Sequence, residues 1–238
     1  MEATPRILRR SRLAGARQAQ GITVIIDVLR AFSSAAFMLY LGAEKIVLLT
    51  EPQEVLALRN RAGYLAVGEV DGMPVPGFDL GNSPSRILEA GRELFAGRAV
   101  ALRSSAGVRG AVVAAPRSDL LLLGSYVTAR ATSRFIQGLS PAPRVVTLVA
   151  MGGSGSETTP DDERCADYFE HLLNGRPYDH TAALNEIVRH RCTTKFLDGE
   201  LDHYPPADPL YCLQRDLFDF TIVAALEHDH LVARRVER

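Results

Sequence analysis

The segment Ile22–Ile26 reads ITVII, five β-branched residues in a row with no alternation of apolar and charged positions. A strand of that kind must be covered on both faces, which calls for the interior of a helix-covered parallel sheet and disfavours a half-exposed antiparallel one. Similar short apolar runs at 45–49, 64–67, 98–102, 120–123 and 144–150 predict further strands. Helical stretches separate them. One spans 31–41 and is closed by Gly42, and another spans 51–61 with Pro52 in its first turn. A third starts at an N-cap Ser83 followed by Pro84 and is closed by Gly91, and two more span 107–115 and 126–137. A helix from Pro160 to about 173 opens with Asp161, Asp162 and Glu163, whose charges complement its dipole. Alternation of this kind predicts one domain, a three-layer α/β/α sandwich around a mostly parallel sheet. The end of the chain predicts a helix over 179–190, a Pro-rich break at 204–209, and two late strands, 220–225 and 231–236, that can pair. Residues 1–20 read as a frayed or edge segment.

Composition narrows the function. Hydrophobic residues at 47% and charged residues at 23% are those of a packed globule, so global disorder is excluded. A formal net charge of -1 argues against a nucleic-acid partner held by bulk electrostatics, despite Arg6, Arg9, Arg10, Arg12 and Arg17 near the start. No apolar run approaches the roughly 18 residues of a membrane span, and no secretory signal pattern follows the basic start. Cys165, Cys192 and Cys212 have neither disulfide nor zinc-site spacing, which suits a reducing cytoplasm. Lys45 and Lys195 are the only lysines.

The strand ends carry the chemistry. The runs lead into Asp27, Glu69, Ser104-Ser105, Ser125 and Gly152-Gly153-Ser154. In an open parallel sheet such positions converge on the ligand-binding edge. Asp27, Glu69, Asp71, Asp79, Asp161 and Asp162 offer oxygen ligands without a His or Cys cluster, a set that suits Mg²⁺. Arg30 and Arg109 offer bidentate anion contacts, and Ser104, Ser105 and Gly107 lie at a strand-to-helix turn whose N–H groups favour phosphate. Carboxylates with a cation beside Arg and small hydroxyls describe a phosphoryl site. Glu227-His228-Asp229-His230 reads as a solvated turn and Cys165 as a core thiol.

Four stretches, IDVLRAFSS (26–34), GEVDGMPVPGFDLGNSP (68–84), LLGSYVTA (122–129) and DDERCAD (161–167), resemble the 2-phosphosulfolactate phosphatase family, with weaker similarity in DPLYCLQRDLFDF (208–220). The resemblance implies an α/β/α sandwich and a Mg²⁺-dependent hydrolase that removes phosphate from 2-phospho-3-sulfolactate on the way to coenzyme M. It places Asp27, Arg30 and Arg109 in catalysis, and Ser104, Ser105, Gly107 and Asn82 against the substrate. The metal falls among Asp27, Glu69, Asp162 and Asp79. The long Pro/Gly-rich loop becomes a rigid rim on which Glu69 and Asp79 face the metal or phosphate while Asn82 and Ser83 cap the next helix. The chain departs from the family pattern at Phe32, Val70, Ala106 and Val108, and with Asp161-Asp162 in place of a Glu-Asp pair. A phosphatase for a different carboxylated ester and a non-catalytic anion-binding protein of the same fold are the alternative expectations. A homodimer is expected on base rates.

Overall fold

Ile22–Ile26 is buried at every position, and the computed structural model, which describes residues 5–199 and 201–237, shows why. The strand lies between two parallel neighbours and under helices on both faces. In chain order the first half consists of β1 (Arg6–Ser11), α1 (Arg12–Ala16), β2 (Ile22–Ile26), α2 (Ala31–Tyr40), β3 (Lys45–Leu48), α3 (Pro52–Ala62), β4 (Leu65–Val70), β5 (Met73–Pro74), α4 (Pro84–Phe95), β6 (Ala99–Arg103) and α5 (Gly107–Ala114). The second half consists of β7 (Leu120–Gly124), α6 (Ala129–Gln137), β8 (Val145–Ala150), α7 (Pro160–Leu173), α8 (His180–Ile187), α9 (Arg191–Leu197), α10 (Asp208–Cys212), β9 (Phe220–Glu227) and β10 (His230–Glu237). Among the described residues no helix is long and apolar enough to cross a membrane.

The strands of the described residues form one sheet in the order β1-β8-β2-β7-β9-β10-β3-β6-β4-β5. Parallel pairing holds within each flank, β1-β8-β2-β7 and β3-β6-β4. The β9–β10 hairpin joins the flanks by antiparallel ladders. By ladder direction the two flanks therefore run in opposite senses. A twist of roughly 20–25° per pair accumulates over the steps from β2 to β6 to roughly 100–125°, which swings the carboxyl ends of the two flanks towards one another.

One face of the sheet, with Ile25, Ile46, Val67, Leu102 and Leu123, encloses α2 and α5 in a common core. The outer face of the first flank packs Val24, Ile26 and Leu148 under Ile136 of α6 and Phe169 of α7. That of the second packs Val47, Ala66 and Ala101 under Val55 of α3. This is the expected three-layer arrangement. Helix α2, AFSSAAFMLY, is buried almost all round, as a helix without a polar stripe must be. Its buried hydroxyls are satisfied, Ser33 donating to the Val28 carbonyl and Ser34 to that of Asn82, both at 2.8 Å.

The Arg-rich start forms an edge strand. Arg9 of β1 donates to Asp167 (2.5 Å) and Glu163 (3.2 Å) on α7. The loop after β4 is less irregular than its composition suggests. Asp71 and Gly72 have φ of +50° and +82° and form a two-residue turn between β4 and β5, the Asp-Gly signature of a tight hairpin. At Gly91 (φ 72°) the chain leaves helical dihedrals as expected, but one more turn then carries α4 to Phe95.

Gly68 is a tight point where two strands of this frame meet. Its φ is +144°, and a Cβ there would lie 2.1 Å from the Arg103 carbonyl oxygen of the adjacent β6. Strain and the backbone clash add, so Gly68→Ala is expected to lower the unfolding free energy by about 3 kcal/mol or more. A urea melt of the variant against wild type measures it.

Candidate active site

Strand β2 delivers Asp27 into the interior, where the residue is 6% exposed. Oδ1 accepts the N–H of Ala31 at 2.9 Å and Oδ2 that of Gly107 at 2.8 Å, so the amino ends of α2 and α5 both point at one carboxylate. Burial, reinforced by the charges of Asp161 and Glu69, pushes its pKa up to about 7. A Cβ on Gly107 would lie 2.6 Å from Oδ2, so glycine is what admits Asp27 at this distance.

Glu69, at the end of β4, is held in the same way. Oε1 accepts the Ser105 N–H (2.6 Å), and Oε2 accepts the Ser105 hydroxyl (3.1 Å) and the Gly72 N–H (2.5 Å). Arg103 donates to the Glu69 carbonyl, to the Ser105 hydroxyl (2.7 Å) and to the Thr50 carbonyl (3.1 Å). The Val108 N–H goes to the Ser104 hydroxyl at 2.9 Å. The turn from Ser104 to Val108 was expected to present free N–H groups to phosphate. Instead those of Ser105, Gly107 and Val108 hold Glu69, Asp27 and Ser104, so the turn positions carboxylates rather than cradling an anion.

The first turn of α7 approaches from the other side. Asp162 accepts the N–H groups of Val28 and Gly152, each at 2.7 Å, and braces two strand ends, leaving its role that of a clamp more than of an open ligand. Asp161 accepts the Leu29 N–H with Oδ2 (3.2 Å), while its buried Oδ1 has no partner. Burial raises the pKa of both, and for Asp162 the charges of Asp161 and Asp27 add to the effect.

Arg30 is the buried cation of the site. Its Nη1 donates to Asp208 (2.7 Å) and to the His203 carbonyl (2.8 Å), and its guanidinium lies 5.2 Å from the ring centroids of both Phe196 and Tyr204. Asp208 is fully buried, and its other oxygen accepts the hydroxyls of Ser83 (2.8 Å) and Ser85 (2.7 Å) and the Ser85 N–H (3.0 Å). The partners that orient Arg30, namely Phe196, His203, Tyr204 and Asp208, come from 191–208, a segment whose sequence shows no period, and the sequence expectations do not include them. Their signals were two aromatics in that segment and an Asp placed before a Pro. Ser83 caps α4 through the Arg86 N–H (3.4 Å), and Asn82 does not cap but lines the cleft, its buried Oδ1 unpartnered.

Two expected residues are elsewhere. Asp79 forms a bidentate ion pair with Arg59 (2.9–3.1 Å) and accepts the Ala66 N–H (2.8 Å), which fixes the rim and takes it away from any metal. Arg109 is exposed on α5, on the side opposite the buried Val108, Ala111 and Ala114, and does not line the cleft. The structure does bring together Asp27, Arg30, Glu69, Asn82 and Ser105, around a cleft of about 130 Å³ that Lys195 and Tyr204 help to wall. Larger hollows, of about 840 Å³ along α7 and α8 and about 620 Å³ beside the β9–β10 hairpin, contain none of these carboxylates.

The model of the 2-phosphosulpholactate phosphatase family matches residues 8–225, and the chain belongs to that family. A protein of Bacillus subtilis named as a probable 2-phosphosulfolactate phosphatase is 30% identical over 84% of this chain and 86% of its own length. One of the same name from Caldicellulosiruptor saccharolyticus is 30% identical over 90% and 91%. Another, from Synechocystis, is 31% identical over 69% and 67%. The enzyme class is that of a phosphatase acting on a phosphate monoester.

Asp208→Ala leaves a buried guanidinium without its counter-charge and is expected to cost about 3–5 kcal/mol, read from denaturant melts. The raised pKa of Asp27 gives a second expectation. The native state holds a proton there that the unfolded chain has released, so ionising Asp27 costs stability progressively as pH rises from about 4 to about 7. In EDTA, Asp27→Asn should therefore gain stability relative to wild type between pH 5 and 8, on the order of 1 kcal/mol per unit until about 7 and flat above. Paired thermal melts across that range give the sign.

Proposed function

We propose that this chain hydrolyses a small, multiply anionic phosphate monoester of the 2-phospho-3-sulfolactate type, with Mg²⁺. The observation that supports this reading most strongly is the convergence of Asp27 and Glu69 with the clamped Arg30 on one cleft, in a member of that family. The likeness to relatives named for 2-phosphosulfolactate supports the substrate class.

The donor set fits a hard cation. It is made of oxygen only, and the buried Asn82 Oδ1 that lines the same cleft lacks a partner. Among the described residues no three acidic, His or Cys side chains converge into a ready-made cage. Mg²⁺ needs none, because it is commonly held by one or two carboxylates with waters and substrate phosphate completing the shell. Asp27 and Glu69 would hold it, and when bound it would polarise the phosphoryl group and neutralise its charge. Asp27 lines the cleft and is placed to orient the attacking water, whose proton passes to the leaving alcohol as the new P–O bond forms. The ester P–O bond breaks and the alcohol leaves with a proton. Arg30 keeps its orientation through Asp208, and its remaining N–H groups meet the equatorial oxygens. Ser105 and Gly107 act through Glu69 and Asp27. A place in coenzyme M formation and a cytoplasmic, homodimeric enzyme accompany the reading.

Phosphate release from 2-phosphosulfolactate and a panel of small monoesters, with Mg²⁺ or EDTA, tests it. Metal-dependent release, strongest for the sulfonated ester and reduced at least about 100-fold in kcat by Asp27→Asn, is the expected result. Preference for a carboxylated ester without sulfonate would replace the substrate. Binding without turnover would make the chain an anion-binding protein.

A further inference from the structure

The cleft opens past Leu29 and Gly152-Gly153 into a second hollow of about 430 Å³, whose wall includes Thr159, Asp161, His190 and Cys192. Lys195 on α9 belongs to both walls. The other basic groups along the two spaces are already engaged. Arg30 is paired with Asp208, Arg191 with Glu157, and His190 Nδ1 accepts the Cys192 N–H at 3.2 Å. Among the described residues Lys195 has no ion pair. Its ammonium instead lies 4.5 Å from the Tyr204 ring centroid and 5.3 Å from that of Phe196, the two rings that also face Arg30. Contact with a ring face fixes an ammonium in place without neutralising it, and leaves its N–H donors for a ligand. The side chain is also solvent-accessible, so a substrate can reach it.

We infer that Lys195 is the specificity-determining residue that binds the second acid group of the substrate, the sulfonate in a phosphosulfolactate. The inference rests on the function proposed above. In such a molecule the carboxylate sits on the carbon that bears the phosphate ester, and as a hard, basic donor it stays with the phosphoryl group and the cation. A sulfonate is permanently charged and a weak metal ligand, so it needs a cation from the protein. Lys195 is placed to supply one at the edge of the carboxylate-lined cleft, where the charges of Asp27, Glu69 and Asp161 would otherwise repel it. A compact ammonium on a flexible stem follows a rotating three-oxygen group without requiring the planar match of a guanidinium.

The test is calorimetric titration of the purified protein in Mg²⁺ with 3-sulfolactate and with lactate, which differ by the sulfonate alone. Wild type should bind 3-sulfolactate about 10- to 100-fold more tightly than lactate, the range of one charge-assisted hydrogen bond. Lys195→Met keeps the aliphatic stem against Tyr204 and should abolish that difference, while Lys195→Arg should restore most of it. In hydrolysis of 2-phosphosulfolactate, Lys195→Met should raise KM more than it lowers kcat. Equal binding of 3-sulfolactate by wild type and Lys195→Met, or no discrimination by wild type, would overturn the inference. Discrimination that depends on Lys195 in a protein that hydrolyses nothing would sustain the inference and overturn the phosphatase reading alone.

Discussion

A single carboxylate buried between two helix amino ends sets the geometry of this molecule. Asp27 ends β2 in the first flank of the sheet, and the Gly107 N–H that it accepts belongs to the helix that follows β6 in the second. Five strand pairings separate β2 from β6 along the sheet, yet their loops meet at 2.8 Å. Twist brings the two loops near, and the charge-assisted bonds at Asp27 hold them there. Glu69 uses the same device within the second flank, tying the end of β4 to the loop after the adjacent β6 through the Ser105 N–H. The residues with the strongest chemical character thus also fasten strand ends together, so function and architecture cannot be varied independently at these positions.

The carboxylates and the cation are organised in contrasting ways. Burial raises the pKa of Asp27, Asp161 and Asp162, and the charge of Asp161 adds to the effect on the other two, with no ion pair to any of the three among the described residues. Arg30 has its own counter-ion, Asp208, and an aromatic wall. The negative half is thus left electrostatically open, while the positive half is closed and rigid. That asymmetry is what a site needs if it is to recruit a cation together with its substrate rather than attract an anion alone.

Much of the frame was legible in the sequence because it rests on local signals. ITVII, the Ser83-Pro84 start and the Asp161 to Glu163 first turn each report on their immediate surroundings, and the structure has β2, α4 and α7 there. Arg109 was expected in the site, whereas Gly107, Val108, Ala111 and Ala114 form the buried face of α5 and leave Arg109 on the other. The partner of Asp79 was not legible, since Arg59 lies on a helix before the preceding strand and nothing local links them. Nor was the Arg30 clamp. Asp208 reaches Arg30 across 178 positions of chain, and 191–208 has no hydrophobic period to announce that it folds over the cleft. Carboxylates at strand ends declare themselves, whereas the groups that orient them are fixed by tertiary structure.

Strands β9 and β10 follow the other eight described strands in the chain, yet they occupy the middle of the sheet. Until β9 and β10 are made, β7 and β3 each present an unpaired edge, and the β1-β8-β2-β7 and β3-β6-β4 flanks have no ladder between them. Edges of that kind invite pairing with other chains. Once β8 is made, a nascent chain therefore carries two half-sheets until the β9–β10 hairpin follows as the keystone that makes them one.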